Sequence, residues 1–198
     1  LVYKPHKFLN SIFHNKSATE SNYIYGDVMK LKYFPPFVLL VIILAACQVT
    51  PAPQSGDTLF EDDFSSGLHT WTRHANDGGI MDHDGGGFRI QVRDTGVMYW
   101  SSPGQTFQDV RIEVDTLKIA GPVQNKIGVI CRQVDSYNFY FFVISTDGYY
   151  AIGKMKDNQS MLIDQAAMKY SVAIEQGVSI NRIRAECVGS TLRLYVND

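Results

Sequence analysis

"IGVICRQVDSYNFYFFVISTDGYYAIGK", Ile127 to Lys154, decides the fold class. Three runs rich in Val, Ile, Tyr and Phe are parted by short groups of Asp, Ser, Asn and Gly, the pattern of consecutive β-strands. Thr146-Asp147-Gly148 predicts a hairpin turn, because Asp-Gly tolerates the positive backbone angles of a tight turn. In "NFYFF" and the residues after it, Phe139, Phe141 and Val143 fall on one face of a strand. Tyr140, Phe142 and Ile144 fall on the other. Both faces are apolar, so this strand is expected at the centre of a sheet with something covering each side.

Working outward, "FRIQVRD", "VRIEVDTLKI", "NRIRAECV" and "TLRLYVN" read as further strands, Asp157-Asn158 as the next hairpin turn, and Asp164 to Lys169 as a loop or helical turn. No segment carries a convincing helical stripe. From Thr58 onward the chain is therefore expected to be all-β, an antiparallel β-sandwich or jelly roll. About 140 residues are enough to bury roughly two thirds of the unfolded surface in one core. The net charge of −2 and the absence of a basic run argue against nucleic acid as a partner.

Alternation assigns the faces. Val110, Ile112 and Val114 oppose Arg111, Glu113 and Asp115; Ile127, Val129 and Cys131 oppose Gly128, Ile130 and Arg132. Ile183, Ala185 and Cys187 oppose Arg184 and Glu186, and Leu192, Leu194 and Val196 oppose Arg193 and Tyr195. One face is core. The other mixes charges with an aromatic ring, the groups that a sugar's hydroxyls and apolar faces require, although a solvated salt-bridge ladder has the same composition. Arg111, Glu113, Asp115, Arg132, Arg184, Glu186, Arg193 and Tyr195 are the candidate ligand-facing residues. Trp71 and Trp100 are either stacking platforms or packing residues.

Upstream, the apolar run Phe37–Ala46 is about ten residues long, whereas a spanning helix needs roughly 20. Met29-Lys30-Leu31-Lys32 precedes it, as in a secretory signal peptide. Leu44-Ala45-Ala46-Cys47 resembles the lipobox of bacterial lipoproteins. That resemblance implies acylation of Cys47, cleavage just before it, and stable anchoring of the mature chain by several acyl chains in a lipid bilayer, outside the cytoplasm. An uncleaved anchor and an ordinary secretory signal are the alternatives. The expected organisation is an upstream non-native or disordered extension over 1–28, a signal peptide over 29–46, a lipidated linker over 47–57 and the β domain over 58–198.

With Cys47 acylated, Cys131 and Cys187 remain. Both fall on core faces of strands and reach a compartment that can oxidise them, so they are a candidate disulfide; two separate buried thiols are the alternative. The closed loop predicts about 4 kcal/mol of stabilisation.

"LFEDDFSSGLHTW", "IGVICRQVDSYNFYFFVISTDGYYAIGK" and "NRIRAECVGSTLRLYVND" together resemble the concanavalin A-like, laminin-G-like jelly-roll domains of bacterial exported lipoproteins. Proteins related to family-sixteen glycoside hydrolases share that likeness. The resemblance covers nearly all of Leu59 to Asp198 and implies a jelly roll, with a further strand expected after Asp198. It also invites a catalytic test, since those hydrolases carry Glu-x-Asp-x-(x)-Glu on one strand. Glu113 and Asp115 fit, but Leu117 and Lys118 stand where the general acid belongs. The expected function is therefore a non-catalytic recognition module for glycans or polysaccharides. A hydrolase with catalytic groups elsewhere and an envelope protein-interaction module are the alternatives. No catalytic residue, cofactor or metal is expected, and His69, His74 and His83 match no metal spacing. "DHDGGG", with Asp82 and Asp84 and with Asp77 upstream, carries a weak Ca²⁺ signal.

Overall fold

The computed structural model describes residues 2–3, 9–12, 55–67 and 71–198. The signal-like stretch and Cys47 lie outside the described residues, as does most of the 1–28 extension. Among the described residues there is no helix, and the strands form two antiparallel sheets.

The first sheet contains β1 (Val2–Tyr3), β2 (Leu9–Ile12), β3 (His74–Asn76), β4 (Gly79–His83), β5 (Phe88–Val92), β6 (Asp109–Leu117), β12 (Ile180–Val188) and β13 (Thr191–Val196). Its order is β13-β12-β6-β1-β5-β4-β3, with β2 also pairing with β6. The second sheet is a meander of β7 (Lys126–Asp135), β8 (Asn138–Ser145), β9 (Tyr149–Lys156) and β10 (Gln159–Leu162). A short β11 (Lys169–Tyr170) pairs with β9.

Turn chemistry explains the meander. Asp157 and Asn158 both have positive φ, 50° and 63°, and link the facing pair Lys156 and Gln159 as a two-residue hairpin loop. The turn before it differs from the expected tight one. Ser145 faces Tyr149, so the loop has three residues, and only Gly148 takes a positive φ, 97°. The Gly148 N–H donates to the Ser145 carbonyl at 3.0 Å, and the Ser145 hydroxyl donates to the Asp147 carboxylate. This local pairing stabilises the longer loop. Asp164 to Lys169 is a loop, ending in the first residue of β11.

The sheets meet through the faces that alternation marks as apolar. Val110, Ala185, Cys187, Cys131 and Phe142 form one buried cluster; Val114, Ile183, Ile127, Ile144 and Ile174 form a second. Each cluster draws on both sheets, which is what makes the fold a sandwich. Each buried aliphatic or aromatic side chain contributes roughly 1.5–3 kcal/mol of transfer free energy. Cys131 of β7 and Cys187 of β12 are joined by a disulfide across the interface, Cα to Cα 6.7 Å.

β8 is flanked by β7 and β9 and is apolar on both faces. Phe139, Phe141 and Val143 pack away from the first sheet, under Trp100, Met155, Leu162 and Met168. Gly153 is required here, because a Cβ on it would collide with the Phe141 ring. Neither tryptophan stands free as a platform. Trp100 meets Phe139 at 5.3 Å between ring centroids, and Trp71 packs on Phe60, Phe64 and Phe88. The Trp71 indole N–H donates to Asp62 Oδ2 at 2.7 Å, while Asp62 Oδ1 accepts the Phe64 N–H at 2.7 Å. "FEDDF" and Trp71 are thus one packing unit.

Candidate functional site

The outer face of the first sheet is built by β6, β12 and β13. Register sets the rows: Glu186 of β12 faces Arg111 of β6 on one side and Arg193 of β13 on the other. In the next row Arg184 faces Glu113 and Tyr195, and in the third Arg182 faces Asp115. Unlike charges therefore stand opposite each other across β6 and β12 in all three of these rows, the favourable cross-strand arrangement.

The side chains use this layout partly across strands and partly along them. Arg111 pairs with Glu113 of its own strand at 2.8 Å. Arg193 donates to Glu186 at 3.1 Å, Arg182 lies 3.5 Å from Asp115, and Arg184 donates to Asp198 at 2.7 Å. The Arg184 guanidinium lies 4.0 Å above the centroid of the Tyr195 ring, a cation–π contact. Among the described residues, Arg111 Nε and Arg184 Nε have no hydrogen-bond partner. Seven of the eight sequence candidates, Arg111, Glu113, Asp115, Arg184, Glu186, Arg193 and Tyr195, share this face. Arg182 belongs with them, although alternation in "NRIRAECV" already puts it beside Arg184.

Arg132 lies elsewhere. It follows Cys131 on β7, in the second sheet, where the pairing with β8 shifts register between Cys131 and Asp135 and Arg132 takes a φ of 49°. The bulge turns its side chain over the rim, where it donates to Asp109 Oδ1 at 3.1 Å and to the Gly189 carbonyl. Asp109 Oδ1 also accepts the Gly189 N–H at 3.1 Å. Arg132 thus clamps the two sheets together at the end where the disulfide sits.

Glu113 and Asp115 project together, as their spacing requires, but both face arginines. Leu117 occupies the next outward position of β6, and the Lys118 ammonium is buried, donating to the Gly121 carbonyl at 2.8 Å. The strand therefore carries two of the three carboxylates of the hydrolase pattern.

Asp82 and Asp84 also have cationic partners. Arg73 donates two hydrogen bonds to Asp82, at 2.7 and 3.0 Å, and Arg89 lies 3.1 Å from Asp84. Among the described residues no three His, Cys, Asp or Glu side chains cluster as metal ligands. The Arg73 hydrogen bonds, helped by the His83 N–H, hold the Asp82 carboxyl below its ordinary pKa. A depressed pKa stabilises the fold above the unfolded value, near pH 4, and that contribution disappears as pH falls through the folded value. Arg73→Gln should move the Asp82 titration back up, and its stability deficit should narrow below about pH 4. Carboxyl-carbon NMR titration and pH-dependent melting check this; an unchanged Asp82 titration would refute it.

No family model matches the chain, and no match was found among curated proteins or solved structures.

Proposed function

We propose that this chain is a lipid-anchored, extracytoplasmic lipoprotein whose concanavalin A-like jelly-roll domain recognises glycans on the outer face of its first sheet. The observation that carries the binding half is the Arg184–Tyr195 stack, held on regular paired strands and bordered by alternating carboxylates and guanidinium groups. Fixed strands hold such groups in position before a ligand arrives, which lowers the ordering cost of binding. Planar guanidinium and carboxylate groups match vicinal hydroxyls. The face is balanced in charge, Arg111, Arg182, Arg184 and Arg193 against Glu113, Asp115, Glu186 and Asp198, which suits neutral saccharides better than polyanions.

The anchoring half rests on the lipobox-like Leu44-Ala45-Ala46-Cys47. One preparation tests both. Full-length protein made in a bacterial host should partition into detergent, and Cys47→Ala should abolish that. On a glycan array the detergent-purified protein should bind a defined set of saccharides, and Tyr195→Ala together with Arg184→Gln should weaken binding by about tenfold or more, the scale of losing one aromatic or charged anchor. A protein that binds nothing would identify the face as a structural salt-bridge ladder. Hydrolysis products from a bound saccharide would instead favour an enzyme.

A further inference from the structure

We propose that the domain rests on the bilayer through the loop end of its sandwich, inserting aliphatic side chains into a phospholipid surface; this builds on the lipid-anchor reading. Three loops meet at this end: residues 118–125 between β6 and β7, 146–148 between β8 and β9, and 171–179 between β11 and β12. They are tied together by backbone. The Thr146 N–H donates to the Val123 carbonyl and the Gly177 N–H to the Thr146 carbonyl, both at 3.0 Å, and the Ser171 N–H donates to the Gly148 carbonyl at 2.9 Å.

They present aliphatic side chains, with the exposed Glu175 and Gln176 among them. Val172, Val178 and Ile180 are 88%, 71% and 61% exposed, and Ile119 and Val123 of the adjoining loop are exposed too, so the aliphatic residues are grouped rather than scattered. The 171–179 loop is firmly held. Buried Asn181 donates to the Glu175 carbonyl and accepts the Glu175 N–H, both at 2.9 Å, and Asn197 donates to the Ala173 carbonyl at 2.7 Å. The valines are thus displayed on a fixed frame. Tyr149 and Tyr170 border the patch on the second sheet, 5.6 Å apart between ring centroids, with Gln176 donating to the Tyr170 hydroxyl. Exposed Lys126 and Lys169 lie next to them.

Aliphatic tips, bordering tyrosines and flanking lysines match the layers of a membrane interface: acyl chains, the headgroup boundary and the anionic surface. The tether keeps the domain beside a bilayer. Cys47 to Gln54 is eight residues, reaching at most about 30 Å when extended. An acylated chain would therefore hold the domain within reach of the bilayer, at a high effective concentration relative to any free partner.

The test uses full-length protein with native Cys47, purified from bacterial membranes and reconstituted into phosphatidylethanolamine–phosphatidylglycerol vesicles doped with nitroxide lipid. An environment-sensitive fluorophore is placed by Val178→Cys in one sample and by Ser160→Cys, at the far end of the sandwich, in another. Both proteins should sediment with the vesicles. The Val178→Cys label should shift to the blue and be quenched at least about twofold more than the Ser160→Cys label. Sedimentation with both labels equally in water overturns the docking and leaves the anchor standing. Failure to sediment overturns the anchor and, with it, the docking. Shielding at position 178 that grows with protein density and ignores nitroxide lipid means a second copy covers this end, which also overturns the proposal.

Discussion

Cys131→Ala with Cys187→Ala should lower the melting temperature by on the order of 10 °C. The loop between the two cysteines spans 56 residues, and the chain-entropy relation assigns such a loop about 4 kcal/mol. In a domain of this size each kcal/mol corresponds to several degrees. The figure is at the upper end of what cross-links deliver, and loss of two sulfurs from the cluster with Val110, Phe142 and Ala185 adds a packing deficit. Denaturing alkylation without reductant supplies the covalent check. Protein from the periplasm with Cys47→Ala as its single change should take up no alkyl group, and uptake of two would mean separate thiols.

Phe142→Ala should destabilise by about 3–5 kcal/mol, enough to unfold a large fraction of a domain of ordinary stability. Phe142 is fully buried at the centre of the sandwich, beside both cysteines. Removing the ring leaves a cavity that β7 and β9, paired to either side of β8, limit in its collapse. Val134→Ala, at an exposed position on β7, is the control and should stay within about 0.5 kcal/mol. Chemical denaturation measures both, and equal midpoints would remove Phe142 from the core. Because Phe142 shares a core cluster with the disulfide, its substitution and loss of the bridge should not add.

Period-two alternation made most of the sandwich legible. In β6, β12 and β13 the side-chain period equals the pleat, so Val110, Ile183 and Leu194 on one side and Arg111, Arg184 and Tyr195 on the other could be sorted before any pairing was known. Pairing itself was not legible. That Arg184 stacks on Tyr195 depends on the β12–β13 register, which a sequence read strand by strand does not contain. Arg132 shows where alternation fails: one bulge after Cys131 breaks the period and sends the side chain to the rim. β3 and β4 escaped notice because "HAN" and "GIMDH" lack a run of β-branched residues and gain their strand character from pairing with each other and with β5. Asp62 reads as one acid among several. Its role appears only when the chain brings Trp71 back onto it.

The covalent clamp between the sheets sits at one end, whereas the loop end is joined by hydrogen bonds. The Cys131–Cys187 bond and the Arg132–Asp109–Gly189 hydrogen bonds lie where β6 begins and β12 finishes, opposite the 118–125, 146–148 and 171–179 loops. The sandwich is accordingly a book stitched along one spine and only latched along the other edge. Opening of the sandwich should therefore begin at the hydrogen-bonded loop end, and amide hydrogens near Val114 and Ile183 should exchange sooner than those near Val110 and Cys187, which the covalent bond keeps together.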